Sequence, residues 1–480
     1  MEELKMEIMT NPNHESVNAE YWLEAMRPVF EGKKVILAGD VIAGLIPRAR
    51  MIRELGAQST FMLATEGMGT GDAPTEEDGH WFALDAPHSD NIVEAIHAGQ
   101  RLLANLPQHA KEALDWYDPK REAMVVGGFL HEQPSVAGRK SLAYRKPEWL
   151  ALDDKTVIDS VWDKIGVTRE PSEVVPVDKE SILAAMQRID KGDGVVWGSD
   201  SKEGINGGAT GVRWVRSESD VDKALEYFQK HCDQLRVMPF LEGIPCSIHG
   251  MVFPDYVAAF RPVEMVVLRK PESSEFVYAG TSSFYDPAPA DREDMRTTAK
   301  KVGNALRDMV NFRGVFTIDG VMTKDGFRPT ELNPRYGAGV MPLLKGLTDF
   351  PLELLAQAVV SGSNSDFKPK ELEELIINTA DKQRGGGTWR AVQTHLPQID
   401  KRPVKLTDSG WQWANDEEKN DGTVIVGPGT LGSFVRFTPD NTSIPIGESF
   451  APYACDFWRF VDENLGSDIG KLDAAKPVRL

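Results

Sequence analysis

The sequence predicts a multidomain protein of α/β and α+β type. An N-terminal open α/β domain (1–150) is followed by a small α+β block (151–237), a mixed sheet backed by helices (238–362) and a β-rich C-terminal unit (363–480). Three observations carry this division. The run Lys34-Val35-Ile36-Leu37-Ala38-Gly39-Asp40 is the continuous apolar strand of a buried parallel sheet, and a turn and a helix through Arg48 to Leu55 follow it. Near 315–333, two strand-like runs are joined by Lys324-Asp325-Gly326, a hairpin signal. Beyond Ser361 the texture changes to short strand-like pieces punctuated by glycine, such as Arg384-Gly385-Gly386-Gly387-Thr388-Trp389-Arg390.

Each block has its own elements. An amphipathic helix around Tyr21 to Phe30 opens the first domain, and Ser59 to Ala64 and Ala123 to Gly128 supply further strands. In the second block a helix entered from Asp153-Asp154-Lys155 ends near Ile165 and turns at Gly166. Strands follow at Val174 to Pro176, Gly194 to Trp197 and Gly211 to Val215, with a helix at Lys179 to Ile189. The third block alternates strands and turns from Arg236 to Pro262. A long helix over Asp291 to Asn311 then leads into strands Val315 to Met322 and Gly326 to Asn333.

Composition narrows the function classes. A formal net charge of -19 over 480 residues, with no run rich in Lys or Arg, argues against a nucleic-acid partner. Cys232, Cys246 and Cys455 are too few and scattered for a disulfide framework or a zinc site. The first twenty residues lack the zones of a signal peptide, and no apolar run reaches membrane-spanning length. The expectation is a cytoplasmic protein without a membrane partner, acting on small molecules; a homo-oligomer is compatible with this. Gly427-Pro428-Gly429-Thr430-Leu431-Gly432 formally matches a dinucleotide fingerprint, but a strand follows it where a helix is required, so it reads as a turn. Phosphate loops ending in Gly-Lys-Ser/Thr, nucleophile elbows and zinc-protease helices are all absent from the sequence.

The chemistry concentrates on the predicted hairpin. Pairing of its strands brings Asp319 and Glu331 onto one face, and Glu331, Asn333 and Arg335, two residues apart along a strand, share that face. Two carboxylates and an amide are the oxygen donors that magnesium takes beside nucleotide phosphates, and an adjacent Arg neutralises charge during phosphoryl transfer. Taken singly, each residue reads more readily as a solvated strand end; their common face reverses that reading.

This pattern, an acid on one strand and Glu-x-Asn-x-Arg on the next, resembles the ATP-grasp superfamily, and the resemblance spans roughly Lys34 to Ala358. It implies that Asp319, Glu331 and Asn333 bind magnesium, as two ions for which manganese can substitute, and that Arg335 holds phosphate or substrate. It further implies that Lys155 reaches the ATP phosphates, that Gly204, Asn206, Gly207 and Gly208 form a lid loop, and that Met238, Phe240 and Leu241 form the adenine hinge. The implied activity joins a small-molecule carboxylate to an amine through an acyl phosphate. The alternatives are phosphoryl transfer to a hydroxyl, ligation to a thiol, or a degenerate nucleotide-binding module. One departure stands out: Trp197 occupies the strand end where many members carry a phosphate-binding lysine, and Lys202 is the substitute the sequence offers. Arg261, on the strand run after the hinge, is a second candidate for oxyanion stabilisation. Ser247 and His249 share a strand face near it, with a core histidine as the plain reading of His249.

Overall fold

The computed structural model describes residues 19–479, apart from 70, 72, 85–91, 203, 205, 206, 274, 348, 349, 364, 365, 397, 416–419, 430 and 431. Helix α1 (Ala19–Phe30) turns Trp22, Met26, Val29 and Phe30 inward. Behind it, β1 (Lys34–Gly39), α2 (Ile42–Glu54), β2 (Ser59–Ala64), β3 (His80–Ala83), α3 (Ile92–Ala104), α4 (Gln108–Tyr117) and β4 (Met124–Val126) build a parallel sheet of order β3-β2-β1-β4. The core residues of β1 are buried on both faces, which is why the strand reads as an unbroken apolar run. Strand order reverses at β1, the switch point at which open α/β sheets present ligand sites outside the carboxyl ends of their strands.

A small hairpin, β5 (Ser135–Val136) and β6 (Arg139–Lys140), and the short helix α5 (Pro147–Leu150) lead out of this sheet. Helix α6 (Ile158–Ile165) begins later than the sequence suggests. The reason is local: the Asp154 carboxylate accepts hydrogen bonds from Thr156 N at 2.8 Å and Thr156 Oγ1 at 2.6 Å, a turn that competes with helix and leaves Lys155 outside it.

The next block is an antiparallel sheet of order β7-β10-β8-β9, from β7 (Glu173–Pro176), β8 (Val195–Ser199), β9 (Val212–Val215) and β10 (Gln234–Pro239). It is backed by α7 (Lys179–Ile189) and α8 (Glu218–His231). The sequence reading assigns no helix at α8, although Ser217 and Asp220 form a capping box at its start. Trp197 is fully buried in this block, with its ring centroid 5.8 Å from that of Phe228. It is a core residue of this block.

The third block carries β11 (Ile244–Val252), β12 (Val257–Ala259), β13 (Val263–Arg269), β14 (Phe276–Ser282), α9 (Pro289–Val310), β15 (Gly314–Thr323), β16 (Gly326–Asn333), α10 (Val340–Leu343) and α11 (Leu352–Val360). After it come α12 (Pro369–Lys382), β17 (Gly386–Val392), β18 (Asp400–Thr407), β19 (Gly410–Trp413), β20 (Gly422–Gly429), β21 (Gly432–Pro439) and α13 (Ala451–Leu465). The late strands continue the central sheet: β17 pairs with β14, giving the order β16-β15-β11-β13-β14-β17-β21-β20-β18-β19. This differs from an appended β unit, and the cause is the edge of β14, whose open backbone groups β17 satisfies. The glycine pattern at 427–432 lies in the β20–β21 hairpin, with residues 430 and 431 outside the described set. Buried Glu264 on β13 fastens α13 by accepting from Ser449 Oγ at 2.5 Å, Phe450 N at 2.7 Å and Ala451 N at 3.2 Å. Among the described residues no helix is long and apolar enough to cross a membrane.

Truncating a fully buried aromatic side chain costs about 3–5 kcal/mol. Trp197→Ala is therefore expected to destabilise this block by that amount, seen as faster amide exchange in β8, β10 and α8.

Candidate functional site

The hairpin of β15 and β16 sets Asp319 opposite Glu331 and Thr317 opposite Asn333. On the other side of β15, β11 sets Ser247 opposite Asp319 and His249 opposite Thr317. Residues opposed across a ladder share a face, so these six side chains meet on one surface of the sheet. Register slips next to the acids: Asp319 pairs with Glu331 but Gly320 with Pro329, leaving Thr330 as the extra residue of a bulge. Pro329 has no N–H to give the ladder, and a side chain at Gly320 would stand 2.3 Å from Arg328 O, so both residues suit the irregular backbone. Thr330 Oγ1 donates to Asp319 O at 3.2 Å and closes the bulge.

The polar groups form a continuous network. Asp319 Oδ1 accepts from Ser247 Oγ at 2.5 Å and Oδ2 from Asn333 Nδ2 at 2.8 Å, while Asn333 Oδ1 accepts from Arg335 Nη2 at 2.7 Å. Glu331 Oε1 accepts from Lys155 Nζ at 2.8 Å. Crowding by protein atoms, and then the charge of Glu331, hold the Asp319 carboxyl well above the ordinary carboxylate range. Two carboxylates facing each other at a crowded site, with an amide beside them, suit a divalent cation that shares its coordination with phosphate oxygens. Among the described residues no larger group of His, Cys, Asp or Glu gathers as a metal cluster.

Lys155 comes from the turn ahead of α6, and its stem lies against Gly198 on β8. Asp154 also accepts from Ser201 N and Ser201 Oγ at 3.2 and 2.9 Å, tying this segment to the start of the glycine-rich loop. Arg236 on β10 stands opposite Gly198. It donates to Thr330 O at 2.9 Å and to both Asp159 carboxylate oxygens at 2.9 and 2.7 Å. The β7-β10-β8-β9 sheet is thus docked on the bulge itself.

Other sequence candidates are placed as follows. Gly204 adopts φ +92° near His97, Gly207 and Gly208 have open space where a side chain would stand, and Asn206 lies outside the described residues. Met238 and Phe240 are buried and Leu241 is half-buried between β10 and β11. Phe240 stacks on Trp214 at 4.1 Å. Two candidates depart from their expected positions. Lys202 Nζ is paired with Asp233 at 2.6 Å, with side chains 51% and 70% exposed, because the loop carries it to the outer edge of the lid. Arg261 is buried and its guanidinium is taken by Asp381 at 2.8 Å and Asp286 at 2.5 Å, a neutralising cluster that turns it from Asp319. His249 is a core residue bonded through Nδ1 to Thr317 Oγ1 at 2.8 Å. Burial holds its pKa down to about 3, and Gly339 must lack a side chain to pack over its ring.

Against solved structures, the chain is similar to the biotin carboxylase domain of 2-oxoglutarate carboxylase from Hydrogenobacter thermophilus. That structure was determined with MgADP, ADP and bicarbonate, and the match has a TM-score of 0.52 at 13% identity over 92% of this chain and 91% of that one. It is also similar to Rhizobium etli pyruvate carboxylase, with a TM-score of 0.53 at 15% identity over 85% of this chain and 37% of that one. The chain has the ATP-grasp fold. No protein-family model and no curated protein matches the sequence.

Within this ATP-grasp fold, several groups at the site have no motif of their own in the sequence. Ser247 is legible only as a neighbour of His249 on a strand; Arg236 and Asp153 carry no signal, since their roles depend on how the lid and the 145–155 segment fold back. Tyr278 on β14 is also near, its hydroxyl held protonated by burial and by the Asp319 charge.

An Asp whose native pKa is raised destabilises the folded state once the unfolded chain has ionised, so its contribution falls as pH rises above about 4, the ordinary value. The melting temperature of Asp319→Asn relative to wild type, measured without nucleotide or metal, is therefore expected to increase between pH 5 and pH 8.

Proposed function

We propose that the protein is an ATP-dependent ligase that activates a small-molecule carboxylate as an acyl phosphate and couples it to an amine, releasing ADP and phosphate. The observation that supports this most is the in-register pairing of Asp319 with Glu331, flanked by Asn333, Arg335 and Lys155. In this reading Asp319, Glu331 and Asn333 hold magnesium, as two ions, which would draw off charge from the β- and γ-phosphates. Lys155 exchanges Glu331 for phosphate oxygens, and Gly204, Gly207 and Gly208 lend unhindered backbone to the loop above them. Met238 to Leu241 offer main-chain groups to the adenine edge, beside the stacked Phe240 and Trp214.

The carboxylate oxygen attacks the γ-phosphorus in line, and ADP leaves with the electrons of the broken P–O bond. The amine nitrogen then attacks the acyl carbon, loses a proton, and the C–O bond to phosphate breaks. Arg335, two residues beyond the end of β16 and bonded to Asn333, neutralises oxyanion charge in both steps. Positioning and charge neutralisation suffice, so no side-chain nucleophile is assigned. Arg261 and Lys202 have no direct part in this scheme, because their charges are committed elsewhere.

Calorimetry with MgATP, followed by ADP and phosphate release with pooled amino acids and carboxylates, tests the reading. Wild type is expected to bind and turn over. Asp319→Asn combined with Glu331→Gln should lose turnover by about a hundredfold or more, the scale of removing a preorganised charge site. Turnover that survives this double substitution, or a stable phosphorylated acceptor with no phosphate release, would displace the ligase assignment. Lys155→Met frees Glu331 from its ion pair and is expected to tighten Mn²⁺ binding to the nucleotide-free protein, read by electron paramagnetic resonance, while weakening ATP binding.

A further inference from the structure

A cleft of about 620 Å³ lies between α3, the loop after β4, the 145–153 segment and the start of the glycine-rich loop. Its volume falls in the range of small-molecule sites. Polar residues Gln100, Glu132, Arg145, Asp153 and Ser201 line it, with Arg101 on α3. The cleft is wired to the acid pair by a chain of side chains. Glu132 Oε1 is 3.5 Å from Arg145 Nη1, and Arg145 Nη2 donates to Asp153 Oδ2. Asp153 Oδ1 stands 3.9 Å from Arg335 Nε, and Arg335 donates to Asn333 at 2.7 Å.

The charges of this chain indicate what the cleft takes. Arg145 is 6% exposed and already serves two carboxylates, so it has little capacity for a phosphate or a further carboxylate. Glu132 is the under-compensated member. Among the described residues its one ion pair is the 3.5 Å contact to Arg145, and a quarter of its side chain is exposed. Burial raises its pKa, against the opposing pull of Arg145 and a hydrogen bond from Gln100. A half-buried carboxylate whose charge partner stands 3.5 Å away is complemented by a cation that brings N–H groups.

We infer that this cleft is the acceptor site, and that it binds a small molecule through a primary ammonium group seated on Glu132 beside Gln100, linked to the acid pair through Arg145, Asp153, Arg335 and Asn333. This rests on the ligase reading and names its acceptor by chemistry. An amino acid and a simple diamine or polyamine both offer the group, and Arg101 on the adjoining helix favours the amino acid.

The test uses the full-length protein with MgATP and measures ADP release with the twenty amino acids, with the matching amines that lack a carboxylate, and with hydroxyl and thiol analogues. One or more ammonium compounds should stimulate release. For the best of them, Glu132→Gln should raise KM at least tenfold while the calorimetric affinity for MgATP stays within twofold. Ala104→Trp, a surface change on α3 that narrows the same cleft, should do likewise. Stimulation by amino acids but not amines assigns the partner of Arg101; stimulation by both leaves the ammonium as the whole determinant. Stimulation confined to hydroxyl or thiol compounds, no stimulation by any amine while MgATP binds, or an unchanged KM in both variants overturns the inference. Loss of MgATP binding in wild type would instead sink the ligase reading itself.

Discussion

Asp319 and Glu331 face each other across an antiparallel ladder, an arrangement in which like charges repel and which a sheet ordinarily avoids. Their cost is offset on all sides: Ser247 and Asn333 donate to one acid, Lys155 is paired with the other, and Arg335 polarises Asn333. Much of the surrounding architecture can be read as the support for this juxtaposition. The bulge at Thr330 re-aims the strand, Pro329 and Gly320 permit the bulge, and the lid is anchored to it through Arg236.

The same support joins three parts of the chain. Asp154 links the glycine-rich loop to the segment that delivers Lys155, so movement of the loop and the position of that lysine are mechanically connected. Arg145 and Asp153 connect the acid pair to the cleft beside the N-terminal sheet. Such a network transmits geometry because each member has little freedom once its neighbours are fixed. The extended central sheet gives it a rigid floor, with α13 held against the back by buried Glu264, whose carboxyl is pushed up to about 7 by its burial.

Trp197 shows how a motif comparison and a fold can disagree without conflict. A missing lysine on β8 reads as a lost phosphate contact, yet the side chain at that position points into the lid core, where an aromatic ring fills volume beside Phe228. The opposite face of the same strand is presented by Gly198, against which the stem of Lys155 lies. Lys202 was the sequence's substitute because flexible stems reach far; in the structure a nearer carboxylate, Asp233, takes it.

Local patterning determined most of the elements. An unbroken apolar run made β1, and a Lys-Asp-Gly turn between complementary strands made the hairpin, so Asp319, Glu331 and Asn333 were legible together from strand pairing and period-two alternation, while Arg335 stands two residues beyond β16 and reaches them through Asn333. What the sequence could not contain was distance between remote segments. Whether Arg261 meets Asp319 or Asp286 and Asp381, whether β17 extends the central sheet, and which of many acids lines a cleft with Arg145 are all settled by packing between stretches tens to hundreds of residues apart. Those contacts follow from burial and charge compensation across the whole chain, which short-range periodicity does not encode.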